Sequence, residues 1–182
     1  MYFLPGNHDD SAAMDRTLFR DSRRSIVRGP SDPLNGWFEH GGVRFVFVDW
    51  GRRAKAISTP GMFDLLAAAV EPGKPTVVLT HHHVAPCGAA WLDEFIADDV
   101  YRFWDALRGK QVLGVLGGHI HMTTETVVGG IPVLTLRSTC FQFARQARPL
   151  LTLEPPQYRI VTIDGGKLTS EVVEVPLGRI RF

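Results

Sequence analysis

The chain has 182 residues, 45% of them hydrophobic and 21% charged, the composition of one soluble globular domain able to build a core without disulfides. Its 20 Lys and Arg nearly balance 19 Asp and Glu, and Arg23-Arg24 and Arg52-Arg53-Ala54-Lys55 are too short to track phosphates, which argues against nucleic acid as a partner. No apolar run approaches the roughly 20 residues of a membrane span and no charged-then-apolar leader opens the sequence, so the expectation is a cytoplasmic protein without a membrane partner.

Met1 to Gly6 reads as the tail of a strand broken at Pro5-Gly6. Ser11 to Asp21 has apolar and small residues at helical spacing behind an Asp or Ser cap, which predicts a helix. Between Asn35 and Asp49 the pattern becomes strand-like on both sides of Gly41-Gly42, a hairpin signal, with Val43 to Val48 buried. Pro60 opens a second helix through Met62, Phe63, Leu65, Leu66 and Val70, closed by Pro72-Gly73. Thr76 to Thr80 is an inner strand running into His81-His82-His83. Val100 to Leu107 is a helix with Tyr101, Phe103, Trp104 and Leu107 on its apolar side. Val112 to Leu116 is a strand ending in Gly117-Gly118-His119-Ile120-His121. Two hairpins follow, Thr124 to Leu136 around Gly129-Gly130 and Gln157 to Val175 around Gly165-Gly166. This order predicts α/β layers, two packed mixed sheets flanked by helices. Cys87 and Cys140, far apart and outside any C-x-x-C, read as free thiols.

Three strand-like segments end in histidine-bearing polar clusters: Gly6-Asn7-His8-Asp9, Thr80-His81-His82-His83 and Gly118-His119-Ile120-His121. Ligand sites of α/β sheets gather at strand carboxyl ends, so the clusters are placed to converge. Neutral imidazoles with an amide oxygen are donors suited to Mn, Fe or Zn. Both His119 and His121 can face one cavity only if the chain bends there, which the preceding glycines permit. Histidine binds metal when neutral, so affinity is expected to fall below a pH near ~6.5.

These motifs, with Trp91-Leu92-Asp93 and Ser138 to Phe143, resemble in order and spacing the calcineurin-like metallophosphoesterases, most closely their bacterial class III cyclic nucleotide phosphodiesterases. The resemblance covers essentially the whole chain. It implies a four-layer α/β/β/α sandwich of two mixed sheets and hydrolysis of a small phosphodiester, 3′,5′-cyclic AMP first among candidates. It also implies two divalent or mixed-valence ions (Mn, Fe or Zn), with Asn7, His81 and His119 on one and His121 on the other. His82 and His83 would support the ligands or face substrate, His8 would contact the phosphate and assist the leaving oxygen, and Asp9 would orient it. The family commonly dimerises, which extends the expectation to a homodimer. The family pattern also contains an Asp-x-His and a Gly-Asp ahead of Gly6, and neither is present. Residues 1–182 therefore read as a single phosphoesterase domain lacking its first βαβ portion, with the second metal site incomplete and bare strand edges and apolar surface exposed. Two alternatives stay open: a non-catalytic remnant binding at most one ion, and an esterase for another phosphodiester.

Overall fold

The computed structural model of the chain describes residues 2–18, 27–28 and 34–176. Residues 2–6, expected to be the end of a strand, carry no strand pairing. The Tyr2 ring stacks on Phe38 with centroids 3.8 Å apart, so side-chain packing over a sheet face holds this segment in place of a ladder. Helix α1 (Ser11–Thr17) follows, started by the Asp10 carboxylate, which accepts from Ala13 N at 2.8 Å. The predicted last turn of that helix, past Leu18, lies outside the described residues, as does Arg23-Arg24.

Strand β1 (Val27–Arg28) pairs antiparallel with β2 (Gly36–His40), and the Gly41-Gly42 turn returns the chain into β3 (Val43–Val48). Next come α2 (Met62–Ala69), β4 (Thr76–Thr80), α3 (Ala90–Asp93), α4 (Val100–Leu107) and β5 (Val112–Leu116), then the hairpin of β6 (Glu125–Val128) and β7 (Ile131–Leu134). These strands form one seven-stranded mixed sheet in the order β1-β2-β3-β4-β5-β7-β6, in which β3, β4, β5 and β7 run parallel. Strands β8 (Gln142–Phe143) and β9 (Leu151–Thr152) make a small ladder, and β10 (Gln157–Asp164) with β11 (Lys167–Glu174) a longer hairpin.

Helix α2 buries Met62, Leu65, Leu66 and Ala69, an i, i+3, i+4, i+7 stripe, against Val46, Val48 and Val78 of the sheet and Phe103 and Leu107 of α4. Each large side chain removed from water there contributes about 1.5–3 kcal/mol. Tyr101 is 62% exposed, contrary to the expectation, because Phe103 and Leu107, four positions apart, define the inward face of α4 and Tyr101 lies well round from it. The opposite sheet face, with Val77 and Leu113, is covered by Ile163 and Leu168 of the β10-β11 hairpin.

The described layers are thus helices, sheet and hairpin, an α/β arrangement whose second sheet is smaller than the mixed sheet expected. The bare strand edges anticipated from the sequence occur on the two-stranded β8-β9 and β10-β11 ladders, each strand of which has one strand partner among the described residues, while the interior strands of the main sheet are paired on both sides. Apolar surface is nevertheless exposed, in a groove of about 480 Å³ over that sheet between Tyr2, Leu4, Phe38, Phe47 and Leu116.

Candidate active site

Parallel pairing brings the histidine clusters together. Leu79 of β4 pairs with Leu116 of β5, so two residues further on His81 lies beside Gly118, whose N donates to His81 O at 2.9 Å. His119 follows directly. Asn7 reaches the same spot from the Gly6 to Asp9 turn, in which Gly6 N donates to the Asp9 carboxylate at 2.7 Å. The turn passes so close to His81 that a Cβ on Gly6 would stand 2.9 Å from the ring, and only glycine leaves that space.

The His81 Nε2 atom is the meeting point. Asn7 Oδ1 lies 2.9 Å from it and His119 Nδ1 3.3 Å. A single proton on this nitrogen can at most be shared between Asn7 Oδ1 and the His119 Nδ1 lone pair, which leaves the longer contact a weak hydrogen bond. Donors sharing one ion at about 2.1 Å are themselves about 3.0–3.4 Å apart, and both contacts to His81 Nε2 are close to that spacing.

The bend expected at His119-Ile120-His121 is real: both histidines take left-handed backbone, at φ 67° and 50°, with Ile120 buried between them. Such conformations cost about 1–3 kcal/mol each in residues with a Cβ. His121 is fixed by its Nδ1, which donates to Phe141 O at 2.7 Å and leaves Nε2 as a bare lone pair in the neutral ring.

Asn7, His8, His81, His119 and His121 all line one cavity of about 190 Å³, whose other walls include Trp91, Phe95, Phe141 and Phe143. A second cavity of about 270 Å³ shares His121 and Phe143 and adds Arg137 and Arg145.

Electrostatics keep the cluster neutral. Burial, with the neighbouring His82 next, pushes His81 down to about 4. Burial and the surrounding histidines push His119 to about 2. Burial also lowers His121 and His82. All are therefore lone-pair donors at neutral pH.

The remaining predicted residues separate by environment. His8 is exposed at the cavity rim, and Asp9 closes the turn that presents it, its carboxylate engaged with Gly6 N. His82 is buried and donates from Nε2 to Arg53 O at 2.8 Å, which ties the loop at Arg53 to the end of β4. His83 is buried beside Asp93, its ring stacked 5.6 Å from that of His119. Reading for metal donors did not mark Phe141 as the residue that orients His121, since the contact is made by a backbone carbonyl and carries no side-chain signal. The aromatic walls at Trp91 and Phe143 stand in motifs already noted for their spacing, without a role attached.

A family model described as calcineurin-like phosphoesterase matches residues 1–123. The chain is 34% identical to the 3′,5′-cyclic adenosine monophosphate phosphodiesterase CpdA of Vibrio vulnificus, over 97% of this chain and 64% of that protein. It is 27% identical to a 3′,5′-cyclic-nucleotide phosphodiesterase of Nostoc, over 96% and 65%, and 28% identical to CpdA of Escherichia coli, over 93% and 62%. The chain spans less than two thirds of the length of these relatives. The match over residues 1–123 takes in all three histidine clusters, and the chain belongs to the calcineurin-like phosphoesterase family.

Proposed function

We propose that this chain provides the catalytic centre of a metal-dependent phosphodiesterase that hydrolyses 3′,5′-cyclic AMP to 5′-AMP. The observation that carries the reading is the approach of Asn7 Oδ1 and His119 Nδ1 to one nitrogen of His81, at the spacing of donors that share a cation. Asn7, His81 and His119 would hold one ion and His121, through Nε2, a second. The chemistry such ions supply when bound is Lewis acidity, which lowers the pKa of water and draws charge from phosphoryl oxygens.

The protein's own contribution is placement. Left-handed backbone at His119 and His121 holds two imidazoles on one cavity wall before substrate arrives, so that ordering is not required during the reaction. His8 at the rim is the general acid, donating a proton to the leaving ribose oxygen, and Asp9 keeps the turn that aims it. Trp91, Phe95, Phe141 and Phe143 provide apolar ring surface for a purine, and Arg137 and Arg145 border the adjoining cavity with positive charge. The names of the curated relatives support the cyclic nucleotide as substrate. The chain works in solution, in the cytoplasm, as a homodimer.

The test is hydrolysis of cyclic AMP and of an aryl phosphodiester by the metal-free and Mn-loaded chain, beside His119→Ala. Activity that needs the ion, prefers cyclic AMP and is lost in the folded variant supports the reading. Equal rates on both esters shift the substrate, and activity indifferent to metal or to His119→Ala refutes it.

A further inference from the structure

Residue His83 lies outside the cluster just described and has no role in the proposed reaction. Its side chain is 2% exposed and neither ring nitrogen has a hydrogen-bond partner. The Leu92 carbonyl and the Asp93 carboxylate lean towards the ring, yet neither meets hydrogen-bond geometry, and Nε2 is 3.9 Å from Asp93 Oδ1. A polar ring this deeply buried without partners calls for an explanation.

Cys87 supplies one. It is buried, whereas Cys140 is exposed, and its backbone N donates to Asp93 Oδ1 at 2.7 Å, fixing the carboxylate beside the thiol. One donor atom from each of His83, Cys87 and Asp93 lies within 4.8 Å of the other two. Some point then lies within about 2.8 Å of all three atoms, so closing by about 0.5 Å for the sulfur and about 0.7–0.8 Å for the nitrogen and oxygen brings them to zinc-ligand distances. The three residues belong to one continuous stretch, 83–93, so this closure needs no movement of the sheet.

We propose that His83, Cys87 and Asp93 form a cation site of their own, distinct from the Asn7, His81, His119 and His121 cluster, that takes a single zinc-class ion. The donor set selects the metal: a thiolate with an imidazole and a carboxylate suits Zn²⁺ and disfavours Mg²⁺ and Mn²⁺. Three protein ligands leave one position for water.

Burial first, then the hydrogen bond to Asp93, pushes the Cys87 thiol up to about 11, so without the ion it is protonated at neutral pH. On binding, the S–H bond breaks, its electron pair goes to the cation and the proton to solvent. The same stretch carries Trp91 and Leu92, which wall the cavity, so the ion pins that wall to the end of β4. Its role is positioning, and it stands or falls independently of the proposed hydrolysis.

The experiment is titration of the metal-free full chain with Co²⁺, followed by near-ultraviolet absorption. The other cluster contains no sulfur, so a thiolate-to-cobalt charge-transfer band reports this site alone. The expected result is a band with the amplitude of one thiolate per chain, retained in Cys140→Ser and in His121→Ala and missing from Cys87→Ser. Zn²⁺ added to fresh metal-free chain releases about one proton from the thiol. The wild-type measurement needs no variant to fold: if no band forms, the proposal is overturned, as it is if the band survives Cys87→Ser or disappears with Cys140→Ser.

Discussion

Acidifying the metal-free chain from about pH 7 to 5 is expected to destabilise it through histidine before any carboxylate titrates, because side-chain carboxyls ionise near ~4. Burial holds His81 and His83 at about 4, and burial with neighbouring imidazoles holds His119 at about 2. In the unfolded chain each returns to about 6.5. The folded values are depressed, so the unfolded state binds more protons and stability falls as pH falls. The contribution of each neutral ring is complete above pH ~6.5 and has dropped by about 2 kcal/mol at pH ~5. Together the three rings lose about 6 kcal/mol, comparable to the whole stability of a domain at about 5–15 kcal/mol. Urea unfolding of the chelated protein between about pH 6 and 5 should show ΔG changing by about 3–4 kcal/mol per pH unit. A slope below that of a single proton, about 1.4 kcal/mol per unit, would refute the assigned burial of these rings.

Replacing Gly6 by alanine puts a methyl 2.9 Å from the His81 ring, and the ring must move; Mn²⁺ affinity measured by calorimetry should drop by at least about tenfold, with a stability loss of about 1–3 kcal/mol. Phe103→Ala empties a fully buried site between α2 and α4, and chemical denaturation should register about 3–5 kcal/mol. The buried guanidinium of Arg44 bonds Glu39, Glu71 and Ala69 O, so Arg44→Ala, measured the same way, should cost about 2–3 kcal/mol without changing metal content.

The sequence was most readable where one physical signal dominates. Short runs rich in β-branched and aromatic residues at Val43 to Val48 and Thr76 to Thr80 marked buried strands, and the glycine pairs at 41–42, 129–130 and 165–166 marked the hairpins within a residue or two. Convergence of His81 and His119 was readable for a related reason, since parallel strands deliver their carboxyl ends to one side, whereas Asn7 joins them from a turn that no strand precedes. Failure came where tertiary packing decides. Tyr2 to Gly6 has strand-like composition, but the Tyr2 stack on Phe38 sets its path, and nothing local encodes a partner so distant in sequence. The environment of Cys87 was invisible for a related reason: an isolated thiol carries no motif until α3 swings Asp93 back against it.

The depressed histidine values also revise how acid removes metal. Ligand chemistry alone places proton competition just below pH ~6.5. In the folded chain His81 and His119 stay unprotonated to about 4 and about 2, so between pH ~6 and ~4.5 protons compete with folding rather than with the ion. Metal loss and unfolding should then share one midpoint and move together when Mn²⁺ is raised, because binding to the folded state alone stabilises it by mass action. Metal release followed by a chelating dye, in parallel with circular dichroism across the same acid titration, measures both. Release at a pH where the dichroism is still native would show that the rings protonate in place, and the burial argument for this cluster would fail.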